Sequence, residues 1–382
     1  MSNKHEHHHS HKKEGQSHLE FESSLFVKAH HKHFLVNVTN NKSEFKQYLG
    51  RFFRKKINIF LVSLIAILLV FLTLSAIISP YSPKKSIIDS HLAYNLPNYI
   101  GASITKKFSS DDNFYQLILN MQKNNPHLRI VVNETPSFDL VNLTYNPYQL
   151  IYAIEGKKYI LLFGTNSSGI DRFSFFIHSF GTSILITFIA TLFQLIIGTF
   201  LGSIIAYYSN RSSAKFSYYL IGTINIIPFL IIVFLFFKIT SYNFFNALLI
   251  LSTIGSLSFF YSSYSIGLEI KNKEFILAYK SSGVSNWRII YRIIFCHCLW
   301  RNIALVSDSL SLNMLALASL AFFNIYKIDQ SLNIGNVFKD LIDNLRNIQY
   351  TIFVSTITSL YVILVKFLGI NLFIASVPKL DK

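Results

Sequence analysis

The sequence predicts an all-α polytopic membrane protein with six transmembrane helices and an extracytoplasmic α+β insertion between the first and the second. Three observations predict it. Hydrophobic residues make up 51% of the 382, and mean hydropathy is +0.38, a balance that suits a chain with several membrane spans. Apolar runs of about twenty residues or more recur, each long enough to cross a core of roughly 30 Å. The short loops rich in Lys and Arg all fall on one side of those runs. The same alternation accounts for the net charge of +16. In a soluble chain that charge would point to nucleic acid; here no nucleic-acid partner is expected.

Residues 1–50 are polar and low in complexity and read as a His-rich, disordered cytoplasmic arm. Most of the histidines lie between His5 and His33. Such a tract can bind transition metals through neutral imidazoles. No carboxylate or cysteine framework fixes a geometry for one, so a solvated arm is the expectation. Residues 51–79 hold the first transmembrane helix, its apolar run at 57–79. Arg51, Arg54, Lys55 and Lys56 precede that run and put the N-terminus in the cytoplasm. The long arm in front of it argues against a cleaved signal peptide.

Residues 80–178 form the polar insertion, punctuated by Pro80, Pro83, Pro97, Pro126, Pro136 and Pro147. Strand-like runs occur at 128–133 and 158–163, and 114–123 reads as a helix. The insertion is either a structural lid or a contact surface.

Residues 179–382 form a five-helix core. The second span, 180–207, carries a G-x-x-x-G pair, Gly198 and Gly202, which permits close helix packing. A short basic loop with Arg211 and Lys215 follows. The third span, 216–238, is expected to kink at Pro228. The fourth span is 243–266, the fifth 303–324 and the sixth 351–376. The fifth holds Ser307, Asp308, Ser311 and Asn313. A polar stripe at bilayer depth usually faces a bundle interior or a cavity, so these four are candidate lining of a translocation path. For Asp308 alone, interhelical bonding near the inner surface is the stronger reading. Lys366, in the inner half of the sixth span, can snorkel to the interface.

The basic amphipathic loop 267–301 lies between two spans. Asn272 suits a helix N-cap, with Glu274 in the first turn. Phe275, Ile276, Ala278 and Tyr279 give one apolar face. Gly283 ends the helix at a C′ position, and Ser285 can cap a second helix from Asn286 back into the membrane. Ala278 and Gly283 allow close approach of another surface, while Lys280, Arg288 and Arg292 supply charge. An amphipathic helix resting on anionic lipid is the other reading. Cys296 and Cys298 sit in this loop and argue against a disulfide framework. With His297 they offer too few ligands for a structural zinc site.

Several of these stretches resemble the permeases of ABC importers. Leu277-Ala278-Tyr279, three residues, Gly283, nine residues, then Ile293-Ile294 resembles that family's E-A-A…G…I-x-L-P loop. Gly164-Thr165-Asn166-Ser167-Ser168-Gly169-Ile170-Asp171 resembles the G-T-D-x-x-G-R-D signature of the oligopeptide, dipeptide and nickel class, C-type subunit. Ala318-Ser319-Leu320-Ala321-Phe322-Phe323 resembles its E-A-x-L-S-F-L-G run. Ile334-Gly335-Asn336-Val337-Phe338 and the two stretches 367–372 and 377–380 follow in order. Asn166, Ile170, Leu277, Leu317 and Asn324 depart from the family pattern.

The resemblance covers residues 164–380 and implies a six-span C-type permease of an oligopeptide importer in the cell membrane. It implies an ATPase-coupling loop at 271–301, carried by Glu274, Ala278, Tyr279, Gly283, Arg288 and Ile293. It implies a signature before the second span, carried by Gly164, Thr165, Gly169 and Asp171. The implied partners are a second homologous permease, two ATP-binding ATPase subunits, an extracytoplasmic peptide-binding protein and membrane lipid. No cofactor is expected on this chain. It has no G-x-x-x-x-G-K-[ST] phosphate loop, so ATP hydrolysis belongs to other subunits and the chain is not expected to be an enzyme. The alternatives are a nickel or other metal permease of the same class and an autonomous secondary carrier.

Overall fold

Glycines decide how the two longest buried helices meet. In the computed structural model, which describes residues 44–137, 140–345 and 347–376, a Cβ added at Gly198 would collide with the Ser256 carbonyl. One at Gly202 would lie 2.7 Å from the Ser263 Cβ, and one at Gly267 2.7 Å from the Ala206 Cβ. The G-x-x-x-G pair is therefore a close-packed seam, and the contact is with the fourth span.

The chain divides into two units, residues 1–50 and 51–382. Of the first unit, only the opening of helix α1 (Glu44–Arg54) is described. The predicted His-rich arm otherwise lies outside the described residues, as does the 377–380 stretch.

The second unit is an all-α polytopic membrane bundle with a small mixed insertion. Helix α2 (Lys56–Ile78) is apolar nearly all round and largely exposed, as a lipid-facing span would be. The insertion follows: strand β1 (Ile104–Ser109), helix α3 (Asn113–Asn124), strands β2 (Val131–Ser137) and β3 (Leu140–Tyr145), and helix α4 (Pro147–Glu155). The strands form one antiparallel sheet in the order β1-β3-β2. Asp112 Oδ1 caps α3 by accepting from the Phe114 amide at 2.8 Å, and Asn146 caps α4, which has Pro147 in its first turn. The helix expected at 114–123 is present, whereas 158–163 is not a strand. It lies in irregular chain that buries Tyr159 and Leu161 against Ala93 and Leu96. The first expected strand begins later, at Val131.

The core helices are α5 (Arg172–Tyr207), α6 (Ser212–Asn225), α7 (Phe229–Thr240), α8 (Phe244–Lys271), α9 (Glu274–Ser281), α10 (Asn286–Phe323), α11 (Ile334–Asp343) and α12 (Ile348–Ser376). Within α10, residues Ile289–Phe295 are wound as a π-helix and Ile303–Leu305 as a 3₁₀ turn. Five helices, α2, α5, α8, α10 and α12, are each long and apolar enough to cross a membrane. The expected third span is not one kinked helix. It is α6 and α7, bent by 87° across the break at 226–228. Pro228 has no N–H to continue α6 and disfavours helical backbone at Ile227, and it becomes the residue from which α7 starts. Counting that pair as one span gives six. The stretch 334–338 is helical: Asn333 Oδ1 caps α11, accepting from the Gly335 amide at 2.6 Å.

The main core runs along α5 and buries Phe176, Phe180, Ile186 and Ala190 against Leu251 of α8, Leu317 of α10, Val337 of α11 and Tyr350 and Val354 of α12. Polar pairs run through the same interior. Asn313 Nδ2 donates to Thr191 Oγ1 at 2.9 Å, while Gln194 Nε2 donates to Asn313 Oδ1 at 3.1 Å and to the Leu251 carbonyl at 2.7 Å. A second knot joins Asn302 to Thr199, Ser262 and Ser263 at 2.6–2.9 Å. With little hydrophobic drive between helices in lipid, such bonds are worth about 0.6–2 kcal/mol each and fix which faces meet.

Candidate functional site

The loop singled out by sequence is a two-helix elbow. Helix α9 is anchored by one side chain, Ile276, which is fully buried with Tyr207, Ile270, Ile289, Ile290, Ile294 and Cys298. Truncating such an anchor costs about 2–5 kcal/mol. Its other residues from Glu274 to Ser281 are exposed. The helix ends in a Schellman motif: the Val284 amide donates to the Tyr279 carbonyl at 3.0 Å and the Gly283 amide to the Lys280 carbonyl at 3.1 Å. Gly283 has φ +75°, the left-handed conformation the motif needs. The N-cap expectation fails by one residue. Asn272 terminates α8, and α9 starts from Lys273 without a side-chain cap bond. The cause is that α8 runs on to bury Ile270 in the same cluster as Ile276. Ser285 does precede the next helix, also without a side-chain cap bond.

The elbow is tied to the bundle at three further points. Tyr207 Oη lies 2.5 Å from Asn286 Oδ1 and donates to it. Lys280 Nζ lies 5.0 Å above the Tyr207 ring. Glu269 pairs with Arg301 at 2.9 Å and with Lys273 at 3.5 Å. What remains outward is an apolar surface, Phe275, Leu277, Tyr279, Trp287 and Tyr291, with Glu274, Ala278 and Arg288 exposed beside it. Ile293 is half-buried against the anchoring cluster. Exposed aromatic and aliphatic side chains grouped this way, flanked by charge, have the composition of a docking surface.

The stretch 164–171 is a pinned turn at the insertion end. Thr165 Oγ1 donates to the Ala93 carbonyl and accepts from the Leu96 amide at 2.9 Å. Asn166 Oδ1 accepts from the Ser168 and Ile170 amides at 3.0 and 2.9 Å. Asp171 caps α5, its Oδ2 accepting from the Ser174 amide at 2.9 Å. Burial pushes the Asp171 carboxyl up to about 6, against the lowering effect of that cap bond. Gly164 and Gly169 have φ of +68° and +75°, and a Cβ at Gly164 would run into the Leu96 and Pro97 carbonyls. The four signature residues thus come together in one pinned turn.

The four path-lining candidates separate. Asn313 is buried among α5, α8 and α10. Ser307 is buried against Gly369, where any Cβ would collide with it. Ser311 Oγ donates to the Ser307 carbonyl at 2.9 Å. Asp308 forms an ion pair with Lys366 between α10 and α12, both side chains about half exposed. Sequence reasoning did not single out Gln194, Asn302 or the buried pair of Arg172 and Asp340. The signal for Gln194 was a carboxamide inside a long apolar run, whereas Asn302 follows Arg301 at the edge of one. The pair joins residues 168 positions apart, with no local signal. Among the described residues, no group of three or more His, Cys, Asp or Glu is placed to hold a metal.

No curated protein matches the chain. Residues 198–381 match the family model of the binding-protein-dependent transport system inner membrane component. The match begins at Gly198, within α5, and takes in the close-packed seam, the elbow and the helices that follow it. It is a transport family, consistent with a chain that is not an enzyme. By that match the C-terminal part of the chain is similar to the inner membrane components of binding-protein-dependent transport systems.

Proposed function

We propose that the chain is one of two permease subunits of an ATP-driven importer for oligopeptides, of the C type, with the elbow as its docking element for an ATPase. A second homologous permease pairs with it and the translocation path lies between the two bundles. An external peptide-binding protein delivers substrate on the insertion side, and two ATPases sit on the opposite, cytoplasmic side. ATP-driven closure of the ATPases moves the elbow as a lever, and Tyr207, Ile276 and Asn286 pass that movement into α5 and α10.

One observation carries the reading. The elbow leaves a cluster of aromatic and aliphatic side chains exposed while fastening its own base tightly, the combination a lever needs. The half-exposed pair of Asp308 and Lys366 supports a path along α10 and α12. A charged side chain facing lipid in a span costs about 2.5–3.5 kcal/mol on insertion scales.

The test is gentle purification from the native membrane. Co-purification of an ATPase pair and a second permease, with loss of the ATPases on deleting 274–283, is the expected result. A chain that emerges alone and supports ion-driven flux in vesicles without ATP would overturn the proposal.

A further inference from the structure

We infer that a cleft beside the insertion binds short peptides in extended form, through their main-chain amides. This deepens the oligopeptide reading and rests on it. The cleft has a volume of 670 Å³, within the range of small-ligand sites. One wall is residues 95–105, leading into β1. The other is Asn344 with residues 347–349, where α12 begins.

Its lining is chemically unusual. Asn95, Asn98, Asn344, Asn347 and Gln349 all line it. A carboxamide offers one carbonyl and one NH₂ group, the same donor and acceptor pairing as a peptide bond. Three of these groups are already chained: Asn347 Nδ2 donates to Asn98 Oδ1 at 2.7 Å, and Asn98 Nδ2 donates to Gln349 Oε1 at 2.7 Å. The chain ends on the Gln349 NH₂ group, which has no partner among the described residues, and neither has the Asn95 carboxamide. Among the described lining residues the one charged group is Arg172, and its guanidinium is held by Asp340. The described lining is therefore polar in both senses, suited to a ligand that both donates and accepts.

Two further features select a peptide over another polar ligand such as a saccharide. Strand β1 is an edge strand, paired with β3 alone, and its first residues, Ile104 and Thr105, line the cleft. An edge presents main-chain N–H and C=O groups to which an extended chain can add. Ile100 and Ile348, 88% and 66% exposed, also line it, giving side chains an apolar place to rest. Recognition through the main chain explains how one site would accept many sequences.

The experiment uses the full chain in lipid nanodiscs, with tetra-alanine as probe and calorimetry as readout. Two variants test the site: Asn98→Ala combined with Gln349→Ala, and Ser103→Trp, which fills the cleft from an exposed position. Both are checked for an unchanged thermal transition. The expected result is binding by the parent chain that each variant weakens at least tenfold. Failure of the parent chain to bind at millimolar peptide, equal binding by both variants, or equally variant-sensitive binding of maltotriose would each overturn the proposal. Binding here needs no ATPase, and the chain lacking 274–283 is expected to bind tetra-alanine normally. If ATPases co-purify but tetra-alanine does not bind, the cleft fails and the importer stands; the reverse result sinks the importer alone.

Discussion

Arg172 and Asp340 form an ion pair sealed inside the insertion end of the bundle, Nε to Oδ2 at 2.9 Å, with side chains only 3% and 8% exposed. Asn344 Nδ2 donates to the same carboxylate at 2.9 Å, and the Tyr350 ring lies 5.8 Å from the guanidinium. The pair fastens the first turn of α5 to α11 and α12. Removing one partner leaves a buried charge without compensation, which costs about 3–5 kcal/mol. Replacing both by apolar residues does not. We therefore expect Arg172→Met and Asp340→Leu each to lower the thermal transition in detergent sharply, and the double variant to recover most of the loss. Additive losses in the double variant would mean that the two residues act independently.

Asp171, one residue away, sets a pH dependence. Its carboxyl is raised to about 6 by burial, against an ordinary value of 3.8. Below the ordinary value the group is protonated in both folded and unfolded chains and contributes nothing. As pH rises from about 4 to 6 the unfolded chain ionises first, so stability falls. Above about 6 the full cost, on the order of 3 kcal/mol, is present. Asp171→Asn keeps an acceptor for the Ser174 amide and carries no charge. It should therefore be more stable than the parent above pH 6.5, with the gap closing towards pH 4. A gap that does not change with pH would show that the cap geometry, and not the charge, governs this position.

The seam between α5 and α8 gives a prediction with an internal control. A Cβ at Gly202 would lie 2.7 Å from the Ser263 Cβ, whereas at Gly181, on the same helix, it would meet nothing within 4 Å. Gly202→Leu should cost about 1–3 kcal/mol or more through overpacking and reduce the yield of folded protein. Gly181→Leu should leave both unchanged. Equal loss at the two positions would mean that glycine matters here for some reason other than contact.

The spans and the elbow were legible because period, length and charge are local. The run from Lys56 to Ile78 and the Gly283 corner could be read from adjacent residues, and so could the Gly198 and Gly202 pair. The partner of that seam could not, since it depends on which helix lies across it. The break at 226–228 was foreseen only as a kink, because Pro228 marks a site of interruption and does not set its angle. Strands β1 and β3 escaped notice because sequences such as ITKKFS carry little apolar alternation and gain their burial from the sheet. Of the polar residues assigned to a path, Asn313 and Ser307 turned inward to bind neighbouring helices. Sequence can place a polar group at depth, but its orientation is set by packing.

Gly283 separates conformation from contact. Its φ of +75° is costly for residues with a side chain, yet a Cβ added there would meet nothing within 4 Å of the chain. Within this chain, substitutions should therefore be graded by backbone preference alone. Asn tolerates the left-handed region and should be nearly neutral, while Ala should cost about 1–2 kcal/mol and destabilise only the elbow. Bulk should matter only if another protein sits against the corner. In membranes holding the complete proposed importer, Gly283→Asn should preserve peptide uptake. Gly283→Trp should abolish uptake while leaving the spans inserted and ATP hydrolysis running. Normal uptake by the Trp variant would mean that nothing docks at this corner, and the lever would have to be sought elsewhere on the surface formed by Phe275, Leu277 and Trp287.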